Sequence, residues 1–212
     1  FMAWWEAESR DRLTRGRDSL ALLLAGPELG AMLDRVRRFY GATGPGSDTV
    51  TLTLVSRAGL GSRNTNAEVV EGWAIQEMLP DASPAREVGV TLHEVAHLLL
   101  SLAPDADREW IAAELGRAGT AGRATRALLD EGLATAFGNG MVERALRPAD
   151  RWTAYAGRPL SFYNDSIIDA AGKALLPTLD SLLRSGARLR DARTLAALRR
   201  TLERAMGPRL AS

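Results

Sequence analysis

One apolar stretch constrains this chain more than any other. From Val88 to Leu102 it carries Val88, Val90, Leu92, Val95, Ala96, Leu98, Leu99, Leu100 and Leu102. The run has readable ends: Ser83 suits a helix N-cap, Pro84 the first helical position, and Pro104 lies just beyond the far end. The pattern predicts a buried helix over 83–102. Inside that run stand His93, Glu94 and His97. Placing two imidazoles and a carboxylate among apolar neighbours costs free energy unless they are hydrogen-bonded, paired or bound to a metal. Residues i and i+4 share a helix face, so His93 and His97 can reach one metal ion without any loop ordering. Glu94 lies one step around, within reach of a water in an open metal position. The rival reading is a chance pairing on a helical interaction domain, which predicts no bound metal.

The rest of the composition narrows the ligand set. His93 and His97 are the only 2 histidines, and there are 0 cysteines. Thiolate sites, cysteine nucleophiles and disulfides are excluded. A catalytic zinc site takes three protein ligands and keeps one position open. The remaining ligand must therefore be a carboxylate or water. Three carboxylates compete for the place. Glu131 lies in Leu128-Leu129-Asp130-Glu131-Gly132-Leu133-Ala134-Thr135, Asp130 stands beside it, and Glu114 lies nearer in Ala112-Ala113-Glu114-Leu115. Leu98 to Ala103 offers neither glycine nor histidine, which excludes a metzincin pattern. No Gly-x-Ser-x-Gly pattern supports a serine hydrolase, and no histidine remains to serve one.

His93-Glu94-Val95-Ala96-His97, followed by a helix bearing Asp130-Glu131-Gly132-Leu133-Ala134, resembles the gluzincin metallopeptidases. That group includes the thermolysin-like enzymes and aminopeptidases with an Asn-Glu-Gly-Phe-Ala type second motif. The resemblance implies an α+β, zincin-like fold, with a small antiparallel sheet packed on the metal-binding helix and a mostly helical C-terminal part. It implies Zn2+ on His93, His97 and Glu131, a peptide or protein substrate, and hydrolysis by a metal-activated water with Glu94 as general base. Gluzincins often steady the oxyanion with a Tyr or His from beyond the second metal helix. Here Tyr163 and Tyr155 are the candidates, Tyr163 standing just before a predicted helix. The sequence also departs from the better-known members. The His97–Glu131 gap is longer, leaving room for an extra helix around Trp110 to Leu115. Asp130 replaces the usual Asn. Thr135 stands where thermolysin-like enzymes carry an aspartate supporting a ligand histidine. These departures mark a divergent branch. A zinc-binding relative without turnover (an interaction module or latent precursor) and a hydrolase of non-protein amides or cell-wall peptides are the alternative readings.

The remaining chain reads as the frame of that centre. Its 212 residues suit a single metallopeptidase-like domain, with an N-terminal lobe over 1–103 and a helical lobe over 104–212 carrying the third ligand. Two helices are expected before Tyr40, divided at Gly26-Pro27. Thr49 to Val55 is the best strand, and Ala67 to Met78 can supply one or two more. The stretch Asn64 to Val70 is the natural edge strand to hold an extended substrate. Further helices are expected at about Asp105–Gly116, Ala124–Phe137, Ser166–Leu183 and Thr194–Met206. Breaks are expected at Gly119–Gly122 and Gly138-Asn139-Gly140, and a loop over Arg147–Pro159. The 27 basic and 26 acidic residues leave a net charge of +1, which gives no case for nucleic acid. Lys173 is the only lysine among those basic residues. That bias toward arginine suits a GC-rich bacterial gene. No apolar run reaches membrane-spanning length. Phe1-Met2-Ala3-Trp4-Trp5-Glu6 is not a secretory signal; a periplasmic or secreted location, with the signal already removed, is compatible with the cysteine-free composition.

Overall fold

The computed structural model describes residues 9–42, 49–56, 67–70, 73–78, 84–116 and 119–210. Helices α1 (Asp11–Leu24) and α2 (Pro27–Tyr40) form the N-terminal pair. Pro27 opens α2, where its missing N–H is no loss, and Gly41 ends it at φ +74, a conformation that glycine adopts without strain. Leu29, Met32, Val36, Phe39 and Tyr40 line the buried face of α2.

Three strands follow: β1 (Thr51–Ser56), β2 (Ala67–Val70) and β3 (Trp73–Met78). Their order in the sheet is β1-β3-β2. β2 pairs antiparallel with β3, Val70 opposite Trp73. β1 pairs parallel with β3, Thr51 opposite Trp73 and Ser56 opposite Met78. The sheet is therefore mixed, which corrects the antiparallel expectation. β3 is the strand with a buried face, through Ala74, Gln76 and Met78. Burying that face places β3 in the centre, so β1 and β2 become its two edges. The connecting residues 57–66, with Asn64 to Asn66 of the expected substrate strand, lie outside the described residues, as do Ser83, Trp4 and Trp5.

Helix α3 (Pro84–Ser101) carries the His-Glu-x-x-His residues and packs on β2 and β3. A buried polar knot joins it to the sheet. Gln76 Nε2 donates to Glu87 Oε2 at 2.5 Å, and Thr91 Oγ1 donates to Gln76 Oε1 at 2.6 Å. These polar atoms are satisfied inside the core, and their hydrogen bonds fix the helix's rotation against β3. Helix α4 (Asp105–Gly116) fills the long gap between the two motifs.

The next segment departs most from expectation. Helix α5 (Gly119–Thr135) includes Gly119 to Gly122, which does not break it. No stop falls at Gly138 either: the helix widens into a π-helical turn over Ala136–Val142 and continues as α6 (Glu143–Leu146). Gly138 is used for close approach. A Cβ there would stand 2.3 Å from Gly89 O and 2.5 Å from His93 N, so the π-turn lies backbone to backbone on α3. Arg147 to Pro159 is not a plain loop but holds α7 (Ala149–Ala156). Helix α8 (Ser166–Arg184) starts at Asp165, whose carboxylate accepts from Ile167 and Ile168 N–H at 2.8 and 3.0 Å. It continues through Pro177. Helix α9 (Ala192–Leu210) closes the described chain. Buried residues from Leu20 to Met206 belong to one apolar cluster. Among the described residues, no helix is long and apolar enough to cross a membrane. The architecture is α+β, dominated by helices.

Candidate metal centre

Two helices build the centre. α3 supplies His93 and His97 one turn apart, and α5 lies alongside and supplies Asp130 and Glu131. The three donor atoms are close to one another. His93 Nε2 and His97 Nε2 are 3.2 Å apart. Glu131 Oε2 is 3.6 Å from His93 Nε2, and Glu131 Oε1 is 3.6 Å from His97 Nε2. Ligands about 2.0–2.1 Å from a tetrahedral zinc stand roughly 3.3 Å from each other. Among the described residues, His93, His97 and Glu131 are the one group of three His, Asp or Glu residues close enough to hold a metal ion. Glu114 is not in it. Asp130 does not offer a donor to it either.

The other ring nitrogens explain why the donors point inward. Asp130 Oδ1 lies 3.1 Å from His97 Nδ1, and Asn139 Oδ1 lies 3.2 Å from His93 Nδ1. Both partners offer an oxygen acceptor, so a proton on each Nδ1 satisfies them and leaves each Nε2 lone pair available to the centre. Two imidazole lone pairs and a carboxylate then face one another. Glu131 Oε2 is buried there without a hydrogen-bond partner. Such a set repels itself until a cation stands among it, so the residues fit a divalent metal with nitrogen and oxygen ligands.

The surrounding charges respond to one another. Burial pulls His97 down, but the Asp130 hydrogen bond and the charges of Asp130, Glu131 and Glu94 outweigh it and raise its pKa. The His93 contact, aided by both histidine charges against burial, holds Glu131 below the usual carboxylate range. Glu94 is only 8% exposed, and burial pushes its carboxyl up. Both histidines pull it down, while Glu131 and Glu68 add to the rise. Glu68 lies in β2, the strand that packs on α3. Among the described residues, β2 has β3 as its one partner in the sheet.

Tyr163 is brought to the centre and Tyr155 is not. The Tyr163 ring stacks on His93 at 5.6 Å between centroids and 23° between planes. Its phenol is raised by burial first, then by the charges of Glu131, Glu94 and Asp165. Tyr155 donates its hydroxyl to the Ser161 carbonyl. Its ring packs with Trp152 and Phe162 under the Arg147 guanidinium at 4.4 Å. Those partners give Tyr155 a packing role outside the His/His/Glu cluster.

Asn139 was not foreseen as a site residue. Thr135, where a supporting aspartate was looked for, is fully buried and its Oγ1 has no hydrogen-bond partner. Asn139, one turn further in the π-turn, is the residue whose side chain meets His93 Nδ1. The local signal is the polar residue between two glycines, a pattern that by itself suits a helix stop. Against protein-family models, curated proteins and solved structures, the chain has no match.

Proposed function

We propose that this protein is a zinc-dependent peptidase of the gluzincin kind, with a zincin-like fold. The observation that carries the reading is the convergence of His93 Nε2, His97 Nε2 and Glu131 at 3.2 to 3.6 Å, with each imidazole held from behind. Zinc bound there supplies a Lewis acid that acidifies water and polarises a carbonyl. Glu94 lies beside the centre with its proton affinity raised by burial, which suits a general base. It takes the proton from the attacking water and returns it to the leaving amine. Tyr163, protonated and stacked on His93, is the oxyanion donor. β2 packs on α3 and is an edge of the sheet among the described residues, which suits an extended peptide pairing with it as a further strand. Peptide is preferred over a compact amide for that reason.

Metal analysis and turnover together test this. The purified chain should hold about one zinc, as a single three-ligand site requires. It should cleave members of a mixed peptide library read by mass spectrometry. Glu94→Gln should keep the zinc and lose about 10²–10⁴-fold in turnover. No metal after zinc reconstitution would overturn the whole reading. Full turnover in Glu94→Gln would remove Glu94 as the base. Zinc without cleavage in the unmodified chain would favour the non-catalytic alternative.

A further inference from the structure

The turn between α7 and α8, residues 158–163, has neither helical nor strand hydrogen bonding, yet it carries Tyr163 onto His93. One carboxylate holds it. Asp169, in α8, is 6% exposed. Its Oδ1 accepts from the N–H of Phe162 at 2.8 Å and of Tyr163 at 3.4 Å. Its Oδ2 accepts from Leu160 N–H at 3.3 Å and from Lys173 Nζ at 2.8 Å. Lys173 Nζ also donates to the Arg158 carbonyl at 2.5 Å, so the turn is gripped at both ends. Asp165 already caps α8, so the Asp169 carboxylate is free to serve the turn. Leu160 sits at φ +53, a left-handed conformation that leucine rarely adopts. Such strain persists only where the surroundings over-determine the backbone. Phe162 is buried 3.1 Å from where a Cβ on Gly140 would stand, which docks the turn on the π-turn.

We propose that Asp169, gripped by Lys173, is the positioning residue that holds Tyr163 against His93. Its catalytic importance rests on the peptidase reading above; the placement of the ring does not. The Asp169 carboxylate is buried while Lys173 stays partly exposed, so the ammonium pairs it at the surface of the turn and fixes a single geometry there. The sole lysine of the chain suits the task. Its compact ammonium can donate to a carbonyl and a carboxylate at once.

The experiment uses the zinc-loaded full chain and two readouts. The first is the His93 ring-proton signals by NMR, calibrated with Tyr163→Leu, which removes the aromatic ring current. Asp169→Ala should reproduce the Tyr163→Leu shift. Should it fold poorly, Asp169→Asn and Lys173→Met each remove half of the grip and should shift the same signals part of the way. Unchanged His93 signals in these variants, with a clear Tyr163→Leu shift, would overturn the proposal. The absence of any Tyr163→Leu shift would overturn it as well. The second readout is kinetics on a library peptide that is cut. Asp169→Ala should lose about 10²-fold in kcat with KM little changed, and adding Tyr163→Phe should cost little more. If Asp169→Ala moves the His93 signals while Tyr163→Phe leaves turnover intact, the positioning role stands and the catalytic role of Tyr163 falls.

Discussion

At the scale of single residues, the centre depends on groups that never touch the metal position. Asp130 and Asn139 each hold an Nδ1, at 3.1 and 3.2 Å, and so set which nitrogen of each histidine faces Glu131. Removing such outer partners typically weakens metal binding 10–100-fold. Asp130→Ala and Asn139→Ala should each weaken zinc by about that factor in a competitive chelator titration, with Glu131→Ala weaker still. Glu114→Ala should leave the affinity unchanged. A loss with Glu114→Ala equal to that with Glu131→Ala would reassign the third ligand. The residues of the His/His/Glu group were legible because chemistry limits the choice: two histidines, no cysteine, and a motif that sets them on one face. Asn139 was not legible, because nothing local says which ring nitrogen it serves.

At the scale of elements, the decisive contact is the π-turn lying on α3. Glycines in a sequence read as stops because their backbone is free, but at Gly138 the missing Cβ is what matters. A methyl group there would press on Gly89 O and on the His93 backbone at 2.3 to 2.8 Å, and backbone atoms cannot swing aside as a side chain can. Gly138→Ala should destabilise the fold by about 1–3 kcal/mol in chemical denaturation, the usual range for overpacking. It should also loosen zinc by displacing Asn139 from His93. Gly172→Ala meets only the Thr135 side chain as its nearest contact, at 2.4 Å, so part of its strain can relax. A Gly138→Ala protein with native stability and native zinc affinity would show that the close approach carries no weight. The strand order is another case. Alternation identified the strands, but only burial of the Ala74, Gln76 and Met78 face put β3 between β1 and β2.

At the scale of the whole molecule, buried Tyr40 and half-buried Tyr155 govern how the fold meets high pH. Lys173 is the only lysine and there are 0 cysteines, so the tyrosines dominate titration near pH 10. Burial and then the Asp130 charge push Tyr40 well above its ordinary value. Burial and then Glu143 do the same to Tyr155. A tyrosine that stays neutral when folded keeps its proton after the unfolded chain has lost its own. The unfolded state then binds fewer protons, so stability is complete below about pH 10 and falls as pH rises beyond it. Thermal melts of the zinc-loaded chain should hold steady to about pH 9 and drop above pH 10. Tyr40→Phe should flatten that drop. An unchanged alkaline slope in the variant would clear Tyr40 as its cause.

Local pattern alone was enough for the helix that carries His93, Glu94 and His97, the face the histidines share, and the expectation that a carboxylate completes their group. Those are consequences of helical period, apolar spacing and the side chains available. It also set most helix positions, because caps, prolines and amphipathic faces are local signals. Packing brought Glu131, rather than Asp130 or Glu114, into one group with the two histidines, since that depends on which face of α5 lies against α3. It assigned Asn139 and Asp130 to the ring nitrogens, brought Tyr163 and not Tyr155 to His93, and ran one helical path through Gly138. Each of those outcomes is a distance between residues far apart in the chain, and such distances arise only when the elements pack.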